Sequence, residues 1–121
     1  MTNGMKRILV VDDDDVTRSG IADLLVRRGY EAWTAGSFEQ ARESLRSQPF
    51  DLLITDIRLG DYNGLQLLMD SRPRGGVIVM TGFADPVLEA EARLRGAAFV
   101  LKPIDPPKLL ELIDRLLGTS E

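Results

Sequence analysis

The sequence predicts an α/β fold, a doubly wound parallel sheet of five strands with helices on both faces. Three observations carry this. Five short runs suited to strands, at 8–11, 31–35, 52–55, 77–80 and 98–101, alternate with five segments of helical periodicity. Most of these runs are apolar at consecutive positions, as in strands covered on both faces. Four of them lead directly into a polar residue: Asp12, Asp56, Thr81 and Lys102.

Taken in order, residues 1–5 carry no pattern and read as a disordered end, with Met5 an alternative start. Ile8-Leu9-Val10-Val11 is the first strand and meets the run Asp12-Asp13-Asp14-Asp15. A helix follows, with Ile21, Leu24, Leu25 and Arg28 at helical spacing and Gly29 as its stop. Glu31-Ala32-Trp33-Thr34-Ala35 is a weaker second strand. Ser37 and Gln40 form a capping box for a helix whose inner face is Phe38, Ala41 and Leu45, ended by Pro49. The third strand runs to Asp56, and the turn Gly60 to Gly64 leads to a short helix from Leu65 to Ser71 that Pro73 and Gly75-Gly76 terminate. Val77 to Thr81 is the fourth strand. Asp85-Pro86 starts a helix with a thin apolar stripe of Val87, Ala90, Leu94 and Ala97. Ala98 to Leu101 is the fifth strand, ending on Lys102-Pro103. The last helix, capped by Asp105-Pro106 and closed by Gly118, has the face Leu109, Leu112, Ile113, Leu116 and Leu117.

One domain fits 121 residues, with boundaries at 6–118 and a tail or linker start at 119–121. There is no cysteine and no histidine, which removes disulfides, thiolate or imidazole metal sites and any Ser-His-Asp arrangement. Carboxylate chemistry is what remains. A net charge of −4 without a basic stripe argues against direct nucleic-acid binding. No apolar run has the length of a membrane span and no signal peptide is visible, which places the chain in the cytoplasm.

Right-handed crossovers put every strand's carboxyl end on the same side of a parallel sheet. Asp12, Asp13, Asp56, Thr81 and Lys102 therefore converge on one edge, where such sheets bind ligands. Taken singly, each has a plainer reading: Asp56 opens a turn, the Asp run caps a helix, Thr81 is a strand end, Lys102 a surface charge. Together they describe a phosphoryl site. Three carboxylates repel by about 1 kcal/mol per pair at 4 Å in water and about 4 at an effective dielectric of 20. Oxygen ligands suit a hard cation, Mg²⁺ or Mn²⁺. Lys102 and Thr81 would address phosphoryl oxygens that the metal does not cover, and Asp56 would be the nucleophile, forming an aspartyl phosphate.

On these residues the chain resembles the receiver domain of two-component response regulators over nearly its whole length. Val10-Val11-Asp12-Asp13 is similar to that family's acidic pair, Leu52-Leu53-Ile54-Thr55-Asp56 to its phosphoacceptor strand, and Gly64 to its loop glycine. Met80-Thr81-Gly82 matches the switch hydroxyl, and Phe99-Val100-Leu101-Lys102-Pro103 the switch aromatic and lysine. The resemblance implies a flavodoxin-like (βα)5 sheet of order 2-1-3-4-5 and a cis Lys102-Pro103 bond. It also implies a metal shell of Asp12, Asp13, Asp56 and the Arg58 backbone carbonyl. As partners it implies a sensor histidine kinase or histidine phosphotransfer protein as donor and a downstream output domain or protein. The chain would be a signalling phosphoacceptor rather than an enzyme, a monomer or a phosphorylation-dependent dimer, switching through Thr81 and Phe99 on the surface of the fourth helix, fifth strand and last helix.

Three departures qualify the resemblance. Gly60 stands where proline is usual and is expected to loosen the loop; the interval from Asp56 to Thr81 is a few residues short, and that from Gly96 to Lys102 is one short. A rival comes from Asp13-Asp14-Asp15-Val16-Thr17, which fits D-x-D-x-T and resembles haloacid dehalogenase-type phosphohydrolases, with Asp13 as nucleophile and Asp15 as acid. It leaves Asp56 without a role. A module that never takes phosphate would require a lost acceptor, lysine or acidic pair, and none is lost.

Overall fold

The computed structural model describes residues 4–69 and 72–118. The elements are β1 (Arg7–Val11), α1 (Asp15–Arg27), β2 (Glu31–Ala35), α2 (Phe38–Ser47), β3 (Leu52–Asp56), a 3₁₀ helix (Gly64–Met69), β4 (Val77–Thr81), α3 (Pro86–Leu94), β5 (Ala98–Leu101) and α4 (Pro106–Leu117). The five strands form one parallel sheet in the order β2-β1-β3-β4-β5, as the resemblance implies. A two-residue antiparallel ribbon, Arg58–Leu59 with Tyr62–Asn63, follows β3 and was not legible beforehand.

Alternation along the strands divides the core in two. Ile8, Val10, Leu52, Ile54, Ile78 and Met80 pack with Ile21 and Leu25 of α1 and Leu109 and Ile113 of α4. Leu9, Val11, Leu53, Val77 and Val79 pack on the other side with Phe38, Ala41 and Leu45 of α2, Leu67 and Leu68 of the 3₁₀ helix and Ala92 of α3. Each fully buried aliphatic side chain is worth about 1.5–3 kcal/mol. The three central strands are therefore the most strongly held, while β2 is an edge strand with Trp33 and Thr34 exposed.

The expected caps are in place. Asp14 accepts from the Thr17 N–H, Ser37 from that of Gln40 and Asp105 from that of Lys108, while Gly118 ends α4 at φ +69°. Gln40 reaches back to the Gly36 N–H, one residue before the cap itself. The third helix, expected from Leu65 to Ser71, is a 3₁₀ helix over Gly64–Met69, with residues 70 and 71 outside the described residues, while the expected α3 stripe is corrected. The short span before Pro73 favours the tighter form. In α3 the buried residue is Ala92 with Leu88 partly buried, whereas Val87 is 75% and Leu94 88% exposed. Apolar residues there satisfy two helical stripes at once, and packing chose the one that meets β5. Of the expected disordered end and tail, residues 1–3 and 119–121 lie outside the described residues.

Asp114 is an acidic residue within α4, yet it is buried. It accepts from Arg28 Nε at 3.1 Å, from Arg28 Nη2 and from the Tyr30 hydroxyl, tying α4 to the end of α1. Asp114 and Tyr30 are buried while the Arg28 side chain is half exposed, so water shares with Arg28 and the Tyr30 hydroxyl in compensating the Asp114 charge.

Gly20 sits inside α1, exposed, with nothing within 4 Å of where a Cβ would stand. Gly20→Ala should therefore stabilise the protein by about 0.5–1 kcal/mol. Urea denaturation would read this as a higher midpoint at unchanged slope.

Candidate phosphoryl site

The parallel register brings the strand ends together. Val11 pairs with Ala35 and Thr55, Asp56 with Met80, and Thr81 with Leu101. Asp12 and Lys102 are the residues immediately after β1 and β5, so both emerge at the edge where β3 delivers Asp56 and β4 delivers Thr81.

Lys102 organises the acids. Its Nζ donates to Asp12 Oδ2 and to Asp56 Oδ2, each at 2.9 Å. Burial alone would lower the pKa of this ammonium, but the hydrogen bonds and charges of Asp12 and Asp56 outweigh it and hold the pKa above its ordinary value. Asp12 is fully buried and its second oxygen accepts from the Asp14 N–H at 2.9 Å. Asp56 Oδ1 accepts from the Arg58 N–H at 3.3 Å. The Lys102 N–H donates to the Thr81 carbonyl at 2.8 Å, and the Lys102-Pro103 bond is cis.

The four-Asp run divides into separate tasks. Asp12, Asp13 and Asp56 each offer a carboxylate oxygen, all within 4.8 Å of one another. Asp14 caps α1; hydrogen bonds from the Thr17 hydroxyl and N–H hold its carboxyl below the usual range. Asp15 is ion-paired with Arg18. The phosphohydrolase reading thereby loses Asp15 as a free acid, and Lys102 meets Asp12 and Asp56 rather than Asp13. A set of three carboxylates without nitrogen or sulfur suits a hard divalent cation.

The sequence model of the response regulator receiver domain matches residues 8–114. The chain belongs to that family. It is 36% identical over 119 residues to the transcriptional regulatory protein AruR of Pseudomonas aeruginosa, covering 92% of this chain and 49% of AruR. The chain spans about half the length, or less, of the curated relatives it matches. Among solved structures, a CheY-like receiver domain from Methanospirillum hungatei superimposes with a TM-score of 0.86 at 30% identity, covering 95% of each chain. A response regulator from Burkholderia pseudomallei, with a phosphorylated aspartic acid, calcium ion and citrate, gives 0.78 at 27% identity, covering 93% of this chain and 69% of that one. As a receiver domain, the chain is a signalling module of two-component systems. Among the described residues, no helix is long and apolar enough to cross a membrane.

The other residues singled out in the sequence have specific positions here. The Thr81 hydroxyl is turned into its own loop, accepting from the Phe83 N–H at 3.2 Å and donating to the Phe83 carbonyl at 3.3 Å. Phe99 is partly buried against the α2-side core. Arg58 places its guanidinium 5.8 Å from the centre of the exposed Phe83 ring. Gly60, expected to loosen the loop, takes φ +62° and is followed by Asp61 at negative φ. That is the pattern of a type II′ hairpin turn, which takes glycine first. Sequence reasoning missed Arg18, whose Nη1 donates to the Asp12 carbonyl at 2.7 Å; its place three residues beyond Asp15 was the available signal.

Gly64 has a steric role. A Cβ there would meet the Asp56 carbonyl oxygen at 2.2 Å and Thr55 Oγ1 at 2.9 Å. Gly64→Ala should cost about 1–3 kcal/mol by overpacking against backbone that cannot yield freely. The check is a lowered urea midpoint.

Proposed function

We propose that Asp56 accepts a phosphoryl group from a phosphohistidine of a sensor histidine kinase or histidine phosphotransfer protein. The observation that carries this reading is the single Lys102 ammonium bridging Asp56 and the buried Asp12, with Asp13 in the same cluster. The phosphorylated aspartic acid and calcium ion of the Burkholderia pseudomallei regulator lend further support. In the transfer, an Asp56 oxygen forms the new bond to phosphorus as the bond to the donor's imidazole nitrogen breaks, the electron pair leaving with that nitrogen. Asp12, Asp13, Asp56 and the Arg58 carbonyl would hold Mg²⁺ or Mn²⁺. When bound, such an ion offsets the repulsion between carboxylates and incoming phosphoryl oxygens.

Lys102 supplies a fixed positive charge for a phosphoryl oxygen at Asp56. The Thr81 hydroxyl would leave Phe83 and donate to another, and Phe99 would follow into the space vacated. The α3-β5-α4 surface is then the one read by a downstream output domain or protein, as monomer or phosphorylation-dependent dimer. The setting is the cytoplasm, and the chain itself binds no nucleic acid.

Incubation with a small phosphodonor and Mg²⁺ should give an acid-stable, base-labile adduct that maps to Asp56 and is lost in Asp56→Asn. An adduct on Asp13 would instead restore the phosphohydrolase reading. Beryllium fluoride with Mg²⁺ should shift the amides of Thr81, Phe83, Phe99 and α3. Changes confined to the neighbourhood of Asp56 would make the chain a phosphate sink.

A further inference from the structure

The ribbon after β3 carries Arg58, whose carbonyl belongs to the proposed metal shell, yet it has little means of holding its own shape. It consists of two residue pairs closed by Gly60 at φ +62°. An isolated two-stranded hairpin is at best marginal in water, and this one is far shorter than most. Arg58 and Asn63 are held by Phe83 and by Leu65 and Gln66, while the apolar anchors of the ribbon lie on its other pair. Leu59 is 3% exposed, and its cross-strand partner Tyr62 stacks on Phe38 with ring centroids 4.4 Å apart and planes 11° from parallel. Directly opposed residues share a face of the ribbon, so Leu59 and Tyr62 present the same side. Phe38 is itself fixed, as the first residue of α2 and a buried member of the core. The stack borders a cavity of about 290 Å³ that Asp13 also lines.

We propose that Tyr62, stacked on Phe38, is a positioning residue for the acidic pocket, fixing the ribbon and hence the Arg58 carbonyl relative to Asp13 and Asp56. This rests on the phosphoacceptor reading. Tyr62 touches no reacting atom; it acts by denying the returning strand of the ribbon other positions. A stacked pair in which one member is bedded in the core transmits the position of α2 to the tip of a ribbon whose backbone bonds to the sheet lie at its base, at Ile57 and Gly64. The exposed edge of the Tyr62 ring makes this a surface brace, so its removal leaves no large internal void.

The test uses the parent chain, Tyr62→Ala and Tyr62→Phe, with Phe38→Leu as a second route should Tyr62→Ala fail to fold. Without metal, hydrogen exchange is followed at the Gly64 amide, which bonds the Ile57 carbonyl at 2.7 Å. Mg²⁺ is then titrated against the amide shifts of Asp13 and Ile57. Tyr62→Ala should speed the exchange and weaken Mg²⁺ binding about three- to tenfold, the range expected for losing one aromatic pair. Tyr62→Phe should restore both. Parent-like Mg²⁺ affinity in folded Tyr62→Ala or Phe38→Leu overturns the inference, whatever happens to stability. A parent chain that takes no Mg²⁺ overturns the phosphoacceptor reading and this inference with it, a failure visible before any variant is made.

Discussion

The arrangement of the sheet edge depends on the bridge from Lys102 to Asp12 and Asp56. Asp12 is fully buried, and an ionised carboxylate without a partner there would cost several kcal/mol. Its counter-charge arrives from 90 residues away, carried by the strand at the far edge of the sheet. The bridge therefore needs β1, β3, β4 and β5 all in register, and it forms only when these four strands have come together. Stability and site are joined at this point, because the charges that would act on a phosphoryl group are also those that must be satisfied for the edge to exist.

The apolar interior on either side of the sheet keeps that edge rigid. One face closes with α1 and α4, and the other with α2, the 3₁₀ helix and α3. Polar ties reinforce the first face, where Asp114 gathers Arg28 and Tyr30. Arg18 fixes the acidic loop from α1 through the Asp12 carbonyl. The elements on the second face are shorter, and it is there that the loops bearing Arg58 and Thr81 turn.

Strand positions and strand-end residues were readable from sequence because a buried parallel strand imposes consecutive apolar residues and ends where polarity resumes. Helix starts at Ser37, Asp85 and Asp105 were readable through capping, a local interaction of side chain with nearby backbone, while the four-Asp run marked the first start without showing that Asp14 is the cap. What escaped was decided by partners distant in sequence. Asp114 gives no hint in its own helix that Arg28 and Tyr30 await it. The α3 stripe was ambiguous because Val87, Leu88, Ala92 and Leu94 allow two faces, and only contact with β5 selects between them. The ribbon at Gly60 was hidden for a related reason: two-residue strands are too brief to show periodicity, and a glycine in a loop reads as freedom until its φ is known.

The hydroxyl of Thr81 carries a consequence for how sharply such a module can respond. At rest it holds two neutral hydrogen bonds to Phe83, at 3.2 and 3.3 Å. Neutral bonds are worth about 0.5–1.5 kcal/mol each, and one to a charged phosphoryl oxygen about 1.5–3. The exchange is thus close to even. With tenfold in population for about each 1.4 kcal/mol, a loop so balanced would move by a modest factor on the proposed phosphorylation rather than flip outright. The resting bonds would then act as a bias against spurious output, and the response would be a graded dial whose gain is set by how firmly Thr81 is held at home.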